Sequence, residues 1–302
     1  MSDFARVAVI GLGLIGSSVA RAVAARLPDA RVVGHDVDAT VRDTARKIGL
    51  GHAIADTAAE AVADADLVVL CVPVGAMSAA AAAIADTLPQ GAIVTDVGSC
   101  KASVVEALTT ALPDHAIVPA HPVAGTEQSG PMAGFATLFN HRWCILTPPE
   151  GTDPVAVERV AGFWRALGAE VETMAPDHHD RVLAVTSHLP HLIAYTIVGT
   201  ASDLEEVTQS EVIKYSAGGF RDFTRIAASD PTMWRDVFLA NREAVLDMLQ
   251  RFSEDLAALS RAIRWGKGDE LFDHFTQTRA IRRSIVEQGQ DDARADFGRS
   301  HE

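Results

Sequence analysis

A glycine-rich segment near the N-terminus constrains the fold more than any other feature of the chain. Residues 7–16 read VAVIGLGLIG, an apolar strand-like run that passes through G-x-G-x-x-G into a helical run. Gly11 permits a tight turn, Gly13 lets a pyrophosphate approach the backbone, and Gly16 lets a helix lie close to the strand. The order predicts a dinucleotide-binding strand–turn–helix unit; a glycine-rich turn that binds something else is the alternative.

A second predicted strand, 31–35, is followed by Asp36, which lies 20 residues after Gly16. A carboxylate at this point of the fingerprint accepts hydrogen bonds from ribose hydroxyls and repels a 2′-phosphate. NAD is therefore the predicted cofactor, with a solvated loop acid as the alternative interpretation of Asp36. The predicted cofactor-binding residues are Gly11, Leu12, Gly13, Leu14, Ile15, Gly16, Asp36, Val72, Pro73 and Ser99.

Short β-rich runs alternate with helical runs through the first half of the chain. Alternation of this kind implies right-handed crossovers and a parallel sheet that is covered on both faces. A helix over 155–167 and a strand over 170–174 extend the same domain. The other predicted strands are 6–10, 31–35, 66–71, 92–96 and 116–120.

After Pro176 the strand signals largely vanish, and helices are predicted over 180–201, 230–265 and 269–288. Asp230-Pro231 is a start signal, an N-cap followed by proline at the first helical position. The predicted fold class is α/β, with a nucleotide-binding parallel-sheet domain followed by an all-helical domain. The predicted ranges are 1–175 for the sheet domain, 176–290 for the helical domain and 291–302 for a polar tail.

The composition of the chain limits the classes of partner that it can bind. The net charge of −14 argues against nucleic acid or an anionic membrane surface as the main partner, because both require a basic face. The three cysteines form no C-x-x-C pair, and the chain shows no signal peptide and no apolar run of membrane-spanning length. We expect a cytoplasmic protein. The long helix predicted over 230–265 has more apolar face than one small bundle hides, which predicts a homodimer.

Five further segments carry the chemistry: TDVGSCK (95–101), HPVAGTEQSG (121–130), SHLPH (187–191), GGFRDFTRIA (218–227) and SDPTMW (229–234). Together with the glycine fingerprint, they resemble the prephenate and arogenate dehydrogenase family from about residue 6 to about residue 288. The resemblance implies a Rossmann domain followed by a helical dimerisation domain. It also implies NAD as cofactor and a cyclohexadiene, prephenate or arogenate, as the small-molecule substrate.

The resemblance assigns the catalytic roles to His121 and Ser99. His121 is the expected hydrogen-bond acceptor or base, because an imidazole suits proton removal near neutral pH. Ser99 is expected to bridge the substrate hydroxyl, the histidine and the nicotinamide. Without the resemblance, His121 would be read as structural, and Ser99 as an N-cap for a helix that begins near Lys101.

The resemblance also implies the substrate contacts. Arg225 is expected to hold the ring carboxylate through its planar guanidinium, with a solvated surface charge as the alternative. A metal pair formed by His188 and His191 is a competing reading, but no third ligand is evident and no metal is predicted. Cys100 is read as a packing residue rather than a thiol of lowered pKa. The predicted substrate-binding residues are Arg225, His191, Gly218, Trp234, Glu127 and Arg221.

The predicted activity is oxidative decarboxylation of prephenate to 4-hydroxyphenylpyruvate with NAD+, on the route to tyrosine. The alternative is an arogenate or dual-specificity cyclohexadienyl dehydrogenase. A β-hydroxyacid dehydrogenase and a non-enzymatic NAD-binding module are the remaining alternatives. We expect no fused chorismate mutase or ACT domain, so that any inhibition by tyrosine would act at the active site.

Overall fold

The computed structural model describes residues 4–126, 128–208 and 218–287. By contacts the chain divides into two compact units, Met1–Leu246 and Asp247–Glu302. The described candidate site residues all belong to the first unit, whereas Glu127 and the tail 291–302 lie outside the described residues. The predicted boundary at 175/176 separates the domains by element type and stays a prediction.

A six-stranded sheet forms the centre of the first unit, and every strand pair in it is parallel. The strand order is β3-β2-β1-β4-β5-β6, so the chain reverses direction across the sheet between β1 and β4. Such a switch point opens a crevice at the carboxyl ends of the strands, where nucleotides bind. The strands are β1 Arg6–Ile10, β2 Arg31–His35, β3 Ala53–Ile54, β4 Leu67–Leu70, β5 Ile93–Asp96 and β6 Ala116–Ile117.

Both faces of this sheet are buried, as the alternation of strands and helices predicts. Val7 and Val9 belong to one cluster of buried side chains, whereas Ala8 and Ile10 belong to another. Because successive side chains of a strand point to opposite faces, the two clusters lie on opposite sides of the sheet. The helices of this region are α1 Leu14–Arg26, α2 Ala39–Lys47, α3 Ala58–Val62, α4 Met77–Ala82, α5 Ala102–Ala111 and α6 Pro154–Ala166.

A second, three-stranded sheet was not predicted. Its strands are β7 Ala120–Pro122, β8 Trp143–Leu146 and β9 Glu170–Thr173, in the order β7-β8-β9. The single strand predicted over 116–120 is wrong, because the chain leaves the first sheet after β6 and joins the second at Ala120. Pro119 stands between them and has no amide hydrogen with which to continue the ladder of the first sheet.

The remaining described elements are helical, as predicted, but their bounds differ. The helix predicted over 180–201 begins earlier and contains a π-helical turn, Ala184–His188. The ring of Pro190 would meet the carbonyl of Thr186 in a regular α-helix, and the wider π turn relieves this clash. The helices are α7 Pro176–Leu183, α8 Leu189–Thr208, α9 Gly218–Thr224, α10 Pro231–Ala240, α11 Arg242–Arg264 and α12 Gly268–Glu287.

The helix predicted over 230–265 is interrupted at Asn241, which separates α10 from α11. The side-chain amide nitrogen of Asn241, Nδ2, donates a hydrogen bond to the backbone carbonyl of Asp180 over 2.8 Å and lies 3.1 Å from His188 Nδ1. The break therefore places a buried polar side chain against the α7 region. The predicted start is confirmed, since Asp230 accepts a hydrogen bond from the Met233 amide over 2.8 Å.

By length and composition, the helical stretch Pro176–Asp203 would suffice to cross a membrane, with a mean hydropathy of 1.4. Three of its polar residues, His179, Asp180 and His188, are buried inside the fold. A core helix of a soluble protein passes the same test of length and hydropathy. The stretch is therefore weak evidence for a membrane span.

A buried ion pair ties the first sheet to the second. Lys101 Nζ lies 2.6 Å from the carboxylate of Asp96, and both side chains are fully buried. The same ammonium donates to the carbonyl of Ala120 over 2.7 Å, and Asp96 accepts the amide of Ala120 over 3.1 Å. The pair thus joins the end of β5 to the first residue of β7.

We expect Lys101→Met to lower the free energy of unfolding by about 3–5 kcal/mol, because it leaves the Asp96 carboxylate buried without a cation. Urea denaturation followed by circular dichroism measures the loss. Lys47→Met, the same change at an exposed position in α2, should alter stability by less than about 0.5 kcal/mol. A Lys101→Met protein as stable as the Lys47→Met protein would contradict the role of the pair.

Candidate active site

The glycine-rich turn has the geometry that a bound pyrophosphate requires. Gly11 has a φ of +96°, and a Cβ there would collide with the carbonyl oxygen of Cys71. A Cβ at Gly16 would collide with the carbonyl oxygen of Gly11. A Cβ at Gly13, by contrast, would meet no heavy atom of the described residues within 4 Å. The open side of the turn at Gly13, just before α1, is the cradle into which a dinucleotide fits.

The residues around the turn complete this cradle. Asp36 Oδ2 accepts a hydrogen bond from the Leu12 amide over 2.8 Å, which places the carboxylate beside the turn, where the fingerprint expects it. The Val72 side chain lies 3.1 Å from the Cβ position of Gly11. Pro73 follows as an exposed residue before a short 3₁₀ turn. Leu12 and Leu14 are themselves buried, so they present backbone rather than side chain to a ligand.

His121 lies in the middle of β7 and is buried, with 8% of its surface exposed. Its Nδ1 lies 2.8 Å from Nε2 of His179, and the two rings meet edge to face at an interplanar angle of 69°. Burial is the main reason that the pKa of His121 is well below its usual value. The Lys101 ammonium lowers it further, and so do His179 and His188 whenever they are protonated. His121 is therefore a neutral imidazole at physiological pH, as a hydrogen-bond acceptor must be.

Sequence reasoning missed His179 and Asp180, which lie next to each other in α7. His179 Nδ1 lies 2.8 Å from Asp180 Oδ1. The two oxygens of Asp180 also accept the amides of Lys101, over 2.7 Å, and Ala102, over 2.9 Å. The carboxylate therefore contacts both the histidine pair and the N-terminus of α5.

Ser99 and Cys100 precede α5. The interpretation of Ser99 as an N-cap is not supported, because Lys101 occupies the N-cap position and Asp180 accepts the first amides of the helix. Ser99 is half-buried, in the loop between β5 and α5. Burial raises the pKa of Cys100 to about 12, and its thiol donates a weak hydrogen bond to the Val237 carbonyl over 3.6 Å. Cys100 is thus a packing residue and not a reactive thiolate.

The predicted pocket residues His191 and Trp234 are in contact. Their rings stack at a centroid distance of 3.7 Å and an angle of 23°, although one lies in α8 and the other in α10. His188 meets Trp234 edge to face at 6.0 Å. The buried atoms His188 Nε2 and Trp234 Nε1 have no hydrogen-bond partner among the described residues.

Arg225 follows α9 in a 3₁₀ turn, Arg225–Ala228, and its side chain is exposed. Its positive charge contributes to the lowered pKa of His191, after burial. Arg221 is an exposed residue of α9, and Gly218 begins that helix. The 3₁₀ turn that carries Arg225 packs against α8, the helix that carries His191.

The two surface cavities lie away from these residues, and the described residues form no metal-binding cluster. Two surface cavities have volumes of about 570 and 280 Å³, one against α1 and one beside the loop after β7, and neither is lined by His121, His191 or Trp234. Over residues 4–126, 128–208 and 218–287, no group of three His, Cys, Asp or Glu side chains is placed to hold a metal ion. The contacts among the histidines and Trp234, with Arg225 on the turn that packs against α8, define the candidate site.

Two family models match the chain in succession. Residues 19–173 match the prephenate dehydrogenase nucleotide-binding domain, and residues 175–277 match the prephenate dehydrogenase dimerization domain. Together the two matches cover most of the chain. The chain belongs to the prephenate dehydrogenase family.

Individual relatives agree with this assignment. The chain is 47% identical to the cyclohexadienyl dehydrogenase of Zymomonas mobilis over 285 residues, which cover 94% of this chain and 97% of that protein. The crystal structure of prephenate dehydrogenase from A. aeolicus in complex with hydroxyphenyl propionate and NAD+ has a TM-score of 0.87 and 33% identity, over 93% of this chain and 98% of that one. The crystal structure of Synechocystis arogenate dehydrogenase has a TM-score of 0.78 and 26% identity, over 93% of this chain and 99% of that one.

We expect Gly13→Ala to weaken binding of NAD+ by about tenfold or more while leaving thermal stability unchanged. Its methyl group would enter the cradle without touching the fold, since a Cβ at Gly13 meets none of the described residues. A titration with NADH, followed by fluorescence, measures the affinity. Gly162→Ala in α6, where a Cβ is equally unobstructed, is the matched control, and equal affinity of the two variants would remove the cradle from the cofactor site.

Proposed function

We propose that this chain catalyses the NAD-dependent oxidative decarboxylation of prephenate to 4-hydroxyphenylpyruvate, a step of tyrosine biosynthesis. The observation that carries the proposal is a buried, neutral His121 in a chain that also presents a dinucleotide cradle and an arginine whose charge acts on His191. The family membership and the relatives named above support the same activity.

The chemistry of the substrate explains the residue types. Prephenate carries a hydroxyl at C4 of a cyclohexadiene ring and a carboxylate on the opposite ring carbon. NAD+, when bound, accepts the hydride from C4. His121 takes the hydroxyl proton as the carbonyl forms. When the ring carboxylate leaves as CO2, its electron pair makes the ring aromatic and converts the carbonyl into a phenolate oxygen, which takes up a proton to give the phenol. Holding these groups in one geometry supplies much of the rate acceleration.

The substrate contacts divide between charge and shape. Arg225 is the cation for the ring carboxylate, because a guanidinium can bind a carboxylate bidentately. His191, stacked on Trp234, forms an aromatic wall for the ring. Ser99 is expected to contact the C4 hydroxyl and the nicotinamide together with His121. Gly218, Arg221 and Glu127 stay predicted substrate contacts, and Glu127 lies outside the described residues.

Arogenate is the second candidate substrate. It differs from prephenate only in its side chain, which carries an amino group in place of the keto group. The similarity to a cyclohexadienyl dehydrogenase and to an arogenate dehydrogenase supports this alternative without favouring it. The proposed cofactor is NAD rather than NADP, since the Asp36 carboxylate beside the turn would repel a 2′-phosphate.

A homodimer that forms through the helical part of the chain completes the proposal. The match to a dimerization domain supports it, and so do large apolar side chains that are exposed in a single chain. In the first unit these include Val185, Ile197 and Leu239, and in the second Leu256, Ile263, Trp265, Phe272, Phe275 and Ile281. A cytoplasmic location agrees with free cysteines at positions 71, 100 and 144.

The decisive experiment measures initial rates of NADH formation with prephenate and with arogenate, each tested with NAD+ and NADP+. Turnover of prephenate with NAD+ is expected. Turnover of arogenate alone would assign the alternative substrate, and a tenfold preference for NADP+ would overturn the role of Asp36. Tight NADH binding without turnover of either cyclohexadiene would indicate a non-enzymatic NAD-binding module.

We expect His121→Asn to lose about 10²–10⁴-fold in kcat with a modest change in KM, because it removes the proton acceptor. In the wild type, His121 must be neutral, so that activity is lost as pH falls through its pKa. Since that pKa is well below the ordinary value of 6.5, the acid limb of kcat/KM should lie below pH 6.5. Near-normal turnover of His121→Asn would remove the assigned role.

We expect Arg225→Ala to cost about 2–5 kcal/mol in kcat/KM, mostly as a raised KM, because the ring carboxylate loses its bidentate partner. Steady-state kinetics with prephenate measure this cost. Arg242→Ala removes an exposed arginine of α11 and serves as the control for net charge. Equal kinetics of the two variants would place the substrate carboxylate elsewhere.

A further inference from the structure

The proton on a histidine that acts as an acceptor has to be on the correct nitrogen. A neutral imidazole carries one hydrogen, on Nδ1 or on Nε2, and only the other nitrogen can accept. In His121, Nδ1 is engaged with His179 Nε2 at 2.8 Å. Nε2 is the nitrogen left to face a substrate, and it accepts only if the hydrogen is on Nδ1.

The hydrogen-bond partners, taken in order from Asp180, show which nitrogen of His121 carries the hydrogen. Burial opposes ionisation of Asp180, but hydrogen bonds from His179 and from the amides of Lys101 and Ala102 outweigh it and hold its pKa below the usual value. The carboxylate is therefore ionised and accepts hydrogen bonds only. Across the 2.8 Å contact, His179 Nδ1 must then be the donor.

The tautomer of His179 follows from the charge of its ring. Burial lowers its pKa more than the hydrogen bond to Asp180 raises it, so His179 is neutral and its only hydrogen is on Nδ1. His179 Nε2 is consequently an acceptor, and His121 Nδ1 donates to it. The chain of contacts leaves His121 Nε2 free of hydrogen.

We propose that His179 and Asp180 are positioning residues that fix His121 in the tautomer with hydrogen on Nδ1, so that Nε2 accepts the proton of the substrate hydroxyl. The inference rests on the proposed function for its catalytic consequence. When His121 Nε2 takes the proton, Nδ1 continues to donate to His179, and the new positive charge lies two hydrogen bonds from the Asp180 carboxylate. The buried site thus contains a counter-charge for the imidazolium.

The other ionisable groups around His121 do not replace this counter-charge. The Lys101 ammonium is paired with Asp96 at the end of β5. His188 lies in the π turn, and burial is the main reason that its pKa falls to about 4, so it is neutral. Burial likewise holds the pKa of Cys144, in the neighbouring strand β8, well above its usual value, so its thiol is uncharged. Asp180 is the anion connected to His121 through a hydrogen-bonded residue.

Two substitutions of His179 separate positioning from packing. His179→Gln keeps an acceptor near the place of Nε2, whereas His179→Phe keeps the ring shape and removes the acceptor. We expect His179→Gln to stay within about tenfold of the wild-type kcat and His179→Phe to lose about 10–10³-fold, less than the roughly 10⁴-fold known where a carboxylate contacts the base directly. His178→Gln and His178→Phe, at the exposed neighbouring position, are the matched controls.

A purely structural role predicts the reverse order, because phenylalanine fills the buried space better than glutamine. Equal kcat for the wild type and His179→Phe, or a lower kcat for His179→Gln than for His179→Phe, would overturn the proposal. Thermal denaturation and NADH binding of each variant show that it is folded and binds cofactor.

Imidazole ¹⁵N spectra of the histidine-labelled protein provide a readout that needs no turnover. The His121 signals, assigned by their loss in His121→Asn, should show a protonated Nδ1 and an unprotonated Nε2 at neutral pH. Asp180→Asn should disturb this tautomer, whereas Asp177→Asn, an exposed control in the same helix, should preserve it. The opposite tautomer in the wild type would refute the positioning role of His179 and Asp180. The expected tautomer in a protein that is inactive on both cyclohexadienes would refute only the proposed function.

Discussion

The carboxylate of Asp96 is the contact on which both the cofactor sheet and the candidate site depend. It accepts the Gly98 amide over 2.7 Å, the Lys101 ammonium over 2.6 Å and the Ala120 amide over 3.1 Å. One buried side chain thereby fixes the end of β5, the loop that carries Ser99 and the residue before His121. Because the carboxyl ends of parallel strands are where α/β sheets bind ligands, a fixed geometry at this point places the chemical groups next to the glycine-rich turn.

The sequence predicted those parts of the fold that local patterns determine. Strands β1 and β2 have the predicted bounds, because each is a short apolar run delimited by polar or glycine residues. The second sheet was missed because β8, Trp143–Leu146, is stable only through its partners β7 and β9. The break at Asn241 was missed for a similar reason. Its compensating hydrogen bond reaches Asp180, which is 61 residues away in the sequence.

The site residues divide in the same way, into those that a local motif predicts and those that only contacts between distant parts of the sequence reveal. Motif resemblance found His121, His191 and Trp234, and the structure brings the last two into a stack. It gave no sign of His179 and Asp180, since a histidine and an aspartate at the start of a helix normally indicate a solvated face. His121 and His179 are 58 positions apart in the sequence, so only the fold reveals the pair. Asp180, and not Ser99, accepts the first amides of α5, so the alternative reading of Ser99 as an N-cap is not supported.

The burial of the site explains why its histidines and its arginine have different chemical roles. Burial is the first cause of the lowered pKa of His121, His179, His188 and His191, so all four rings are neutral at physiological pH. Neutral rings can accept a proton or pack against a substrate, but they cannot attract an anion. The chain has a net charge of −14, which adds a repulsive field.

A positive charge for an anionic substrate must therefore come from a group that burial does not neutralise. Arginine is that group, because its guanidinium stays protonated in proteins. The charge of Arg225 also lowers the pKa of His191, after burial, and so helps to keep that imidazole neutral. The cation that would bind the substrate carboxylate thus also helps to keep the stacked aromatic wall uncharged, and the two requirements of the site, a neutral proton acceptor and a fixed cation, support each other.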